Sequence, residues 1–175
     1  MRGNKIGQVW IETVLYTLIA LALISLVLAF MMPKINQAKD KLVVEQTLNL
    51  IMALNDKITI TADSTGNLRI FYFSVKKGEL NVYPDSDKIV FLLEDMSKPY
   101  SEPGVEIRNG PIAVLSQKDR KNYNVSLTLD YSSKYNLTYN GKEESKRFGQ
   151  SATPYKLNIL NNGSNPKIMI DLSSG

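Results

Sequence analysis

The chain has 175 residues, 43% of them hydrophobic and 22% charged, with a formal net charge of +4; this matches one globular domain with an added segment. It has no Cys and no His, which excludes disulfides, thiolate metal sites and thiol catalysis and removes the usual general base near neutral pH. Leaving aside Arg2 and Lys5, 19 basic side chains face 17 acidic ones, too even a balance for a nucleic-acid surface. The composition therefore predicts neither an enzyme nor a nucleic-acid binder, and neither a cofactor nor a metal is expected.

The chain opens with a short basic stretch, Met1-Arg2-Gly3-Asn4-Lys5-Ile6-Gly7, and then turns apolar. Thr13 to Met32 carries no charge, and a helix of that length spans about 30 Å, one bilayer core. Leu, Ile, Ala and Val occupy it all the way round, so it has no polar face. It is too long for the apolar core of a cleaved secretory signal, and Pro33-Lys34 follows it without a small-residue cleavage site. Arg2 and Lys5 precede it while Lys34, Lys39 and Lys41 follow, so the positive-inside rule does not orient it. Trp10 suits a membrane interface. Glu12 is the exception in this setting: its carboxylate either lies at the headgroups or needs a cationic partner.

Lys5-Ile6-Gly7-Gln8-Val9-Trp10-Ile11-Glu12-Thr13, followed by the long apolar helix, resembles the class III signal peptide of type IV prepilins, most closely those of archaeal pilin-like proteins. The resemblance covers about the first 33 residues. It implies a leader, residues 1–7, removed by a membrane prepilin peptidase between Gly7 and Gln8, with Glu12 as the fifth residue of the mature chain and an assembly determinant. Gln at the new N-terminus follows the archaeal habit. Thr13 stands where bacterial members often have Leu, so the match to those is partial. The resemblance further implies a single-pass precursor with a cytoplasmic N-terminus. An assembly ATPase and its membrane platform would extract it, and the chains would self-associate through their helices into an extracellular filament.

From Pro33 onward Ile35, Ala38, Leu42, Val43, Leu48, Ile51, Met52 and Leu54 recur at steps of three and four. That spacing predicts an amphipathic continuation of the helix, with a kink near Pro33 and a helical span of 8–62 that fades across Asn55 to Thr61. Asp63 to Asn67 reads as a loop.

Beyond Gly66 the period becomes two. Leu68–Val75 and Glu79–Tyr83 flank Lys76-Lys77-Gly78 as an expected hairpin, and Lys88–Leu93 reads as a buried strand. Val105–Arg108 and Ile112–Leu115 bracket Asn109-Gly110, a strong hairpin signal. Tyr123, Val125, Leu127, Leu129 and Tyr131 share one face of the next strand, and Tyr135, Leu137 and Tyr139 continue past a short turn at Ser132–Lys134. Tyr155–Leu160 and Lys167–Leu172 surround a turn at Asn161-Asn162-Gly163. About nine strands predict an α+β chain, a long helix followed by an antiparallel β-rich head over 63–175, as a β-sandwich or a curled sheet.

Three sequons make Asn124, Asn136 and Asn162 glycosylation candidates. Asn124 and Asn136 fall on the polar face of their strands, and Asn162 in the expected turn. Asp85-Ser86-Asp87 has oxygen ligands but lacks the rest of a Ca²⁺ loop. Ser97-Lys98, Glu94-Asp95 and Glu143-Glu144 pair chemically useful residues with no sign of a pocket, and Lys142–Arg147 reads as a solvated loop or strand edge. Two functional expectations stand: a prepilin-like filament subunit, or a permanently anchored, non-polymerising surface protein with a binding head. Intact Arg2 and Lys5 on the mature protein would select the second.

Overall fold

The switch from a three-to-four period to a period of two is reproduced in the computed structural model, which describes residues 5–164 and 166–175. One helix, α1, runs from Lys5 to Ala62. Ten strands follow among the described residues: β1 Leu68–Phe73, β2 Glu79–Tyr83, β3 Lys88–Met96, β4 Glu106–Asn109, β5 Ile112–Asp119, β6 Asn122–Asp130, β7 Tyr135–Tyr139, β8 Lys146–Phe148, β9 Tyr155–Ser164 and β10 Ile168–Ser174. The fold is α+β, a long N-terminal helix followed by a β-rich region.

The chain divides into two units, Met1–Lys39 and Asp40–Gly175. Within the first, α1 is already helical at Lys5, ahead of the expected start at Gln8, and continues past Pro33. Within the second, α1 stays helical through Ala62 rather than fading. Leu54, Ile58 and Thr61 are fully buried there, so packing overrides the weak helix preference of the β-branched residues.

The strands form two sheets, a four-stranded one ordered β1-β9-β10-β7 and a six-stranded one ordered β4-β5-β6-β3-β2-β8. All pairs are antiparallel except β10–β7. Alternation places Phe71, Phe73, Leu157, Ile159, Ile170 and Leu172 on the inner face of the first sheet. Leu80, Val82, Ile89, Phe91, Leu127 and Leu129 occupy that of the second. These rows and Val44, Leu48, Ile51, Leu54 and Ile58 of α1 form one hydrophobic cluster. Phe73 of the first sheet meets Phe148 of the second edge-on, with ring centroids 5.5 Å apart.

Three local expectations are corrected. Lys76-Lys77-Gly78 is not a hairpin turn, because β1 pairs with β9 while β2 pairs with β3 and β8. The segment carries the chain from one sheet to the other, anchored by Val75 at 1% exposure. Nor does β7 continue the sheet of β6: it pairs in parallel with β10. The chain turns there because Lys134 and Tyr135 donate their N–H groups to the Tyr131 carbonyl. Asn161-Asn162-Gly163 lies inside β9, so the reversal into β10 comes after Ser164. The Asn109-Gly110 hairpin forms as expected, with Asn109 opposite Ile112. β8 is a strand the periodicity does not separate from the basic stretch; it takes the edge of the six-stranded sheet.

Candidate functional site

A helix that buries no face has to find its surroundings elsewhere. Every residue from 9 to 36 is exposed, including Trp10 and Phe30 at 72% each. Burying large aliphatic or aromatic side chains contributes about 1.5–3 kcal/mol each, so this surface left in water costs on the order of tens of kcal/mol. Its few polar groups are satisfied internally. Thr13 donates its hydroxyl to the Val9 carbonyl at 2.8 Å, Thr17 to that of Thr13 at 2.8 Å, and Ser25 to that of Leu21 at 2.8 Å. In water such back-bonding is merely tolerated; in lipid or a packed helix bundle it removes a desolvation penalty. By length and composition the helix is able to cross a membrane.

Glu12 lies on this helix and is exposed. Gly7 and Gln8, the expected cleavage pair, fall within its first turns, while Met1 to Asn4 of the expected leader lie outside the described residues.

Asn124 and Asn136 are half-buried. Asn124 stands opposite Gln117 and Asn136 opposite Met169, on the outer faces of their sheets. The Thr138 hydroxyl that completes the second sequon donates to Asp171 Oδ1 at 2.6 Å and is itself buried. Asn162 is exposed, on a strand instead of in a turn. The sequons therefore share no site.

Among the weaker candidates, Asp87 Oδ1 accepts the Leu137 N–H at 2.8 Å, a structural use that leaves less for a cation. Asp95 occupies a left-handed position (φ 54°) at a β3 bulge between Leu93 and Met96, and its Oδ1 accepts from Asn122. No group of three or more acidic residues that could hold a metal occurs among the described residues.

Two polar clusters escape the sequence reading. Asp40 Oδ2 accepts from the Ser97 N–H at 2.7 Å and from the Ser97 hydroxyl, while Oδ1 accepts from Lys77 Nζ at 3.2 Å. Burial acts to raise the Asp40 carboxyl, but the Ser97 bonds and Lys77 outweigh it and hold the group below its ordinary value. The second cluster closes α1. Asn161, 2% exposed, donates Nδ2 to the carbonyls of Thr61 at 3.3 Å and Ala62 at 3.1 Å. Its Oδ1 accepts from Gly163 N–H at 2.8 Å. Asn67 Nδ2 caps the Ile60 carbonyl at 3.0 Å. Nothing local marks these pairs, since Asp40 and Ser97 lie 57 residues apart and Asn161 and Thr61 100 apart.

Comparison with protein-family models, with curated proteins and with solved structures returns no match for this chain.

Proposed function

We propose that this chain is a prepilin-like structural subunit of a cell-surface filament, inserted in the membrane by α1, cleaved between Gly7 and Gln8, and polymerised through that helix. The observation that supports it most is the fully uncovered apolar helix joined to a unit with its own completed core. Such a helix is stable in lipid or among identical helices, so exchange between the two costs little hydrophobic free energy. In this reading the assembly ATPase, its membrane platform and the prepilin peptidase are the partners, and glycans on Asn124, Asn136 or Asn162 decorate the outward surface.

Cleavage would create an α-amino group on Gln8, a group that titrates at about 7.7–8.0 in peptides and so is largely cationic near neutral pH. Glu12 lies four residues along the helix, within reach of its own terminus or that of a neighbouring subunit. Pairing across subunits neutralises both charges and sets axial register. Breaking a desolvated pair from one side costs about 3–5 kcal/mol. Glu12→Gln should therefore be processed and reside in the membrane but yield few filaments, measured by fractionating membrane and sheared pools. Gly7→Val should leave the precursor long. Equal filament yield from Glu12→Gln refutes the pairing; a native mature protein that retains Arg2 and Lys5 supports permanent anchoring instead.

A further inference from the structure

We propose that the open edge of β1 pairs with β1 of a second copy of this chain, antiparallel, about a two-fold axis centred on Ile70. The inference concerns the β-rich unit and does not depend on how α1 assembles.

β1 reads Leu68-Arg69-Ile70-Phe71-Tyr72-Phe73, with one charge and neither Gly nor Pro, the composition that most favours strand pairing. It is an edge strand, bonded to β9 alone. Leu68, Ile70 and Tyr72 point to the outer face and are 55%, 43% and 65% exposed. The Asn161 N–H bonds to the Asn67 carbonyl, which makes Arg69, Phe71 and Phe73 the residues whose backbone groups face β9. The N–H and C=O groups of Leu68, Ile70 and Tyr72 then face the open edge.

The other three sheet edges are closed by identifiable means. At β7, Tyr135 donates to the Tyr131 carbonyl, Leu137 to Asp87 Oδ1, and Tyr139 to the Lys142 carbonyl. β8 has only three residues and carries Lys146 and Arg147. β4 has four residues and carries Glu106 and Arg108. These are ordinary protections of a sheet edge, and β1 has none of them.

The sequence of β1 is complementary to itself in a single register. With Ile70 opposite Ile70, Leu68 falls opposite Tyr72 and both lie on the same outer face, so three apolar cross-strand pairs form. Arg69 falls opposite Phe71, which keeps the two arginines from facing each other. Continued past the strand ends, this register runs Lys76 and Lys77 of one copy alongside Ser64 and Asp63 of the other, once on each side of the axis. That charge complementarity selects a second copy as the occupant. A two-fold contact is closed, so it joins two heads and cannot by itself propagate a filament.

The absence of Cys lets single-cysteine variants of the full chain report the register in detergent. With a short thiol–thiol crosslinker, Ile70→Cys should form a homodimer, and a mixture of Leu68→Cys with Tyr72→Cys a mixed dimer, while Leu68→Cys alone should not crosslink. Ile70→Lys, which leaves the inner face untouched, should reduce the dimer fraction of the cysteine-free chain at least tenfold by light scattering, with an unchanged unfolding midpoint. Self-crosslinking of Leu68→Cys as efficient as that of Ile70→Cys, a dimer that survives Ile70→Lys, or a wild-type chain that remains monomeric would each overturn the proposal.

Discussion

Asn161 offers the sharpest test of how α1 is fixed to the sheets. The last carbonyls of a helix have no partner within it, and here Thr61 and Ala62 end α1 in a buried place. Asn161 supplies both with a donor. Asn161→Leu keeps the volume but leaves two carbonyls and the Gly163 N–H without their partner. At about 1–3 kcal/mol for leaving a buried group unsatisfied, and with the shared donor counted once, the expected loss is about 2–3 kcal/mol. Asn161→Asp is nearly isosteric and more damaging at neutral pH, since it aims a carboxylate at two carbonyls and at the negative end of the helix dipole. An uncompensated buried charge adds to the lost bonds, for about 3–5 kcal/mol. Its sign of pH dependence is opposite to that of an ordinary carboxylate. Burial against carbonyls raises the new group above its unfolded value of about 3.9, so the folded state recovers stability as pH falls below the raised value. Denaturant unfolding of the full chain in detergent, followed by tyrosine near-ultraviolet circular dichroism at pH 7 and pH 4.5, measures both effects. The aspartate variant should gain at the lower pH, and the leucine variant should show no such gain. An aspartate variant within 0.5 kcal/mol (about half the value of one hydrogen bond) of wild type at pH 7 would refute the capping role.

The remaining predictions concern the head. Asp40 is held below its ordinary value, so its stabilising contribution is complete above the unfolded carboxylate value and is lost as pH falls through the depressed one; Asp40→Asn should flatten the acid side of the stability profile, read by thermal melts from pH 7 to pH 3. Gly78 has φ +78°, and an added Cβ would stand 2.1 Å from the Leu92 carbonyl oxygen, whereas Gly66 at φ +79° has nothing within 4 Å. Gly66→Ala should therefore cost only the left-handed penalty of about 1–2 kcal/mol, and Gly78→Ala should lose soluble expression because a backbone strand must move. Leu127→Asp, at 0% exposure, should unfold the head through an unpaired buried charge, while Asn124→Gln and Asn136→Gln should leave its melting temperature unchanged; equal tolerance at all three would overturn the assignment of faces.

The strands are legible in the sequence wherever alternation is strict. Tyr123 to Tyr131 shows why: Val125, Leu127 and Leu129 are buried and Asn124, Ser126 and Thr128 are not, so the period of two states both the strand and its inward face. Pairing is legible only where a turn determines it, as at Asn109-Gly110. Lys76-Lys77-Gly78 looks like a turn of the same kind because Gly78 does need a left-handed backbone. The need comes from close approach to Leu92, however, and the true partner of β1 lies in the last quarter of the chain. Parallel pairing of β7 with β10 leaves no local trace at all. The end of α1 is hidden for a related reason: Ile58 and Thr61 weigh against a helix by propensity, and only the sheets they pack on decide the matter. At the proposed membrane segment the opposite holds. The apolar run, the leader glycine and the position of Glu12 are adjacent in sequence, so one short stretch of residues carries the whole signal, and the fold adds the back-bonded Thr13, Thr17 and Ser25.

The burial pattern along α1 bears on why one continuous helix serves two environments. Coverage begins around Asp40, whose side chain is 16% exposed, and from Val44 onward each turn buries at least one residue. Among the described residues before that point, no side chain is buried. A head that drew on the apolar half of α1 for its core would lose stability each time that half changed surroundings. Here the core is completed by Val44, Leu48, Ile51, Leu54 and Ile58, and the helix end is closed by Asn161 and Asn67. The Asp40 contacts with Ser97 and Lys77 mark the near limit of that core, and a charged cluster suits this position. Its bonds are short-ranged and partly open to water, so they fix the helix to the β3–β4 segment without presenting further apolar surface. Changing what surrounds residues 9–36, from lipid to a bundle of identical helices, then leaves the free energy of the head nearly untouched. A subunit that has to leave a membrane without unfolding requires that independence.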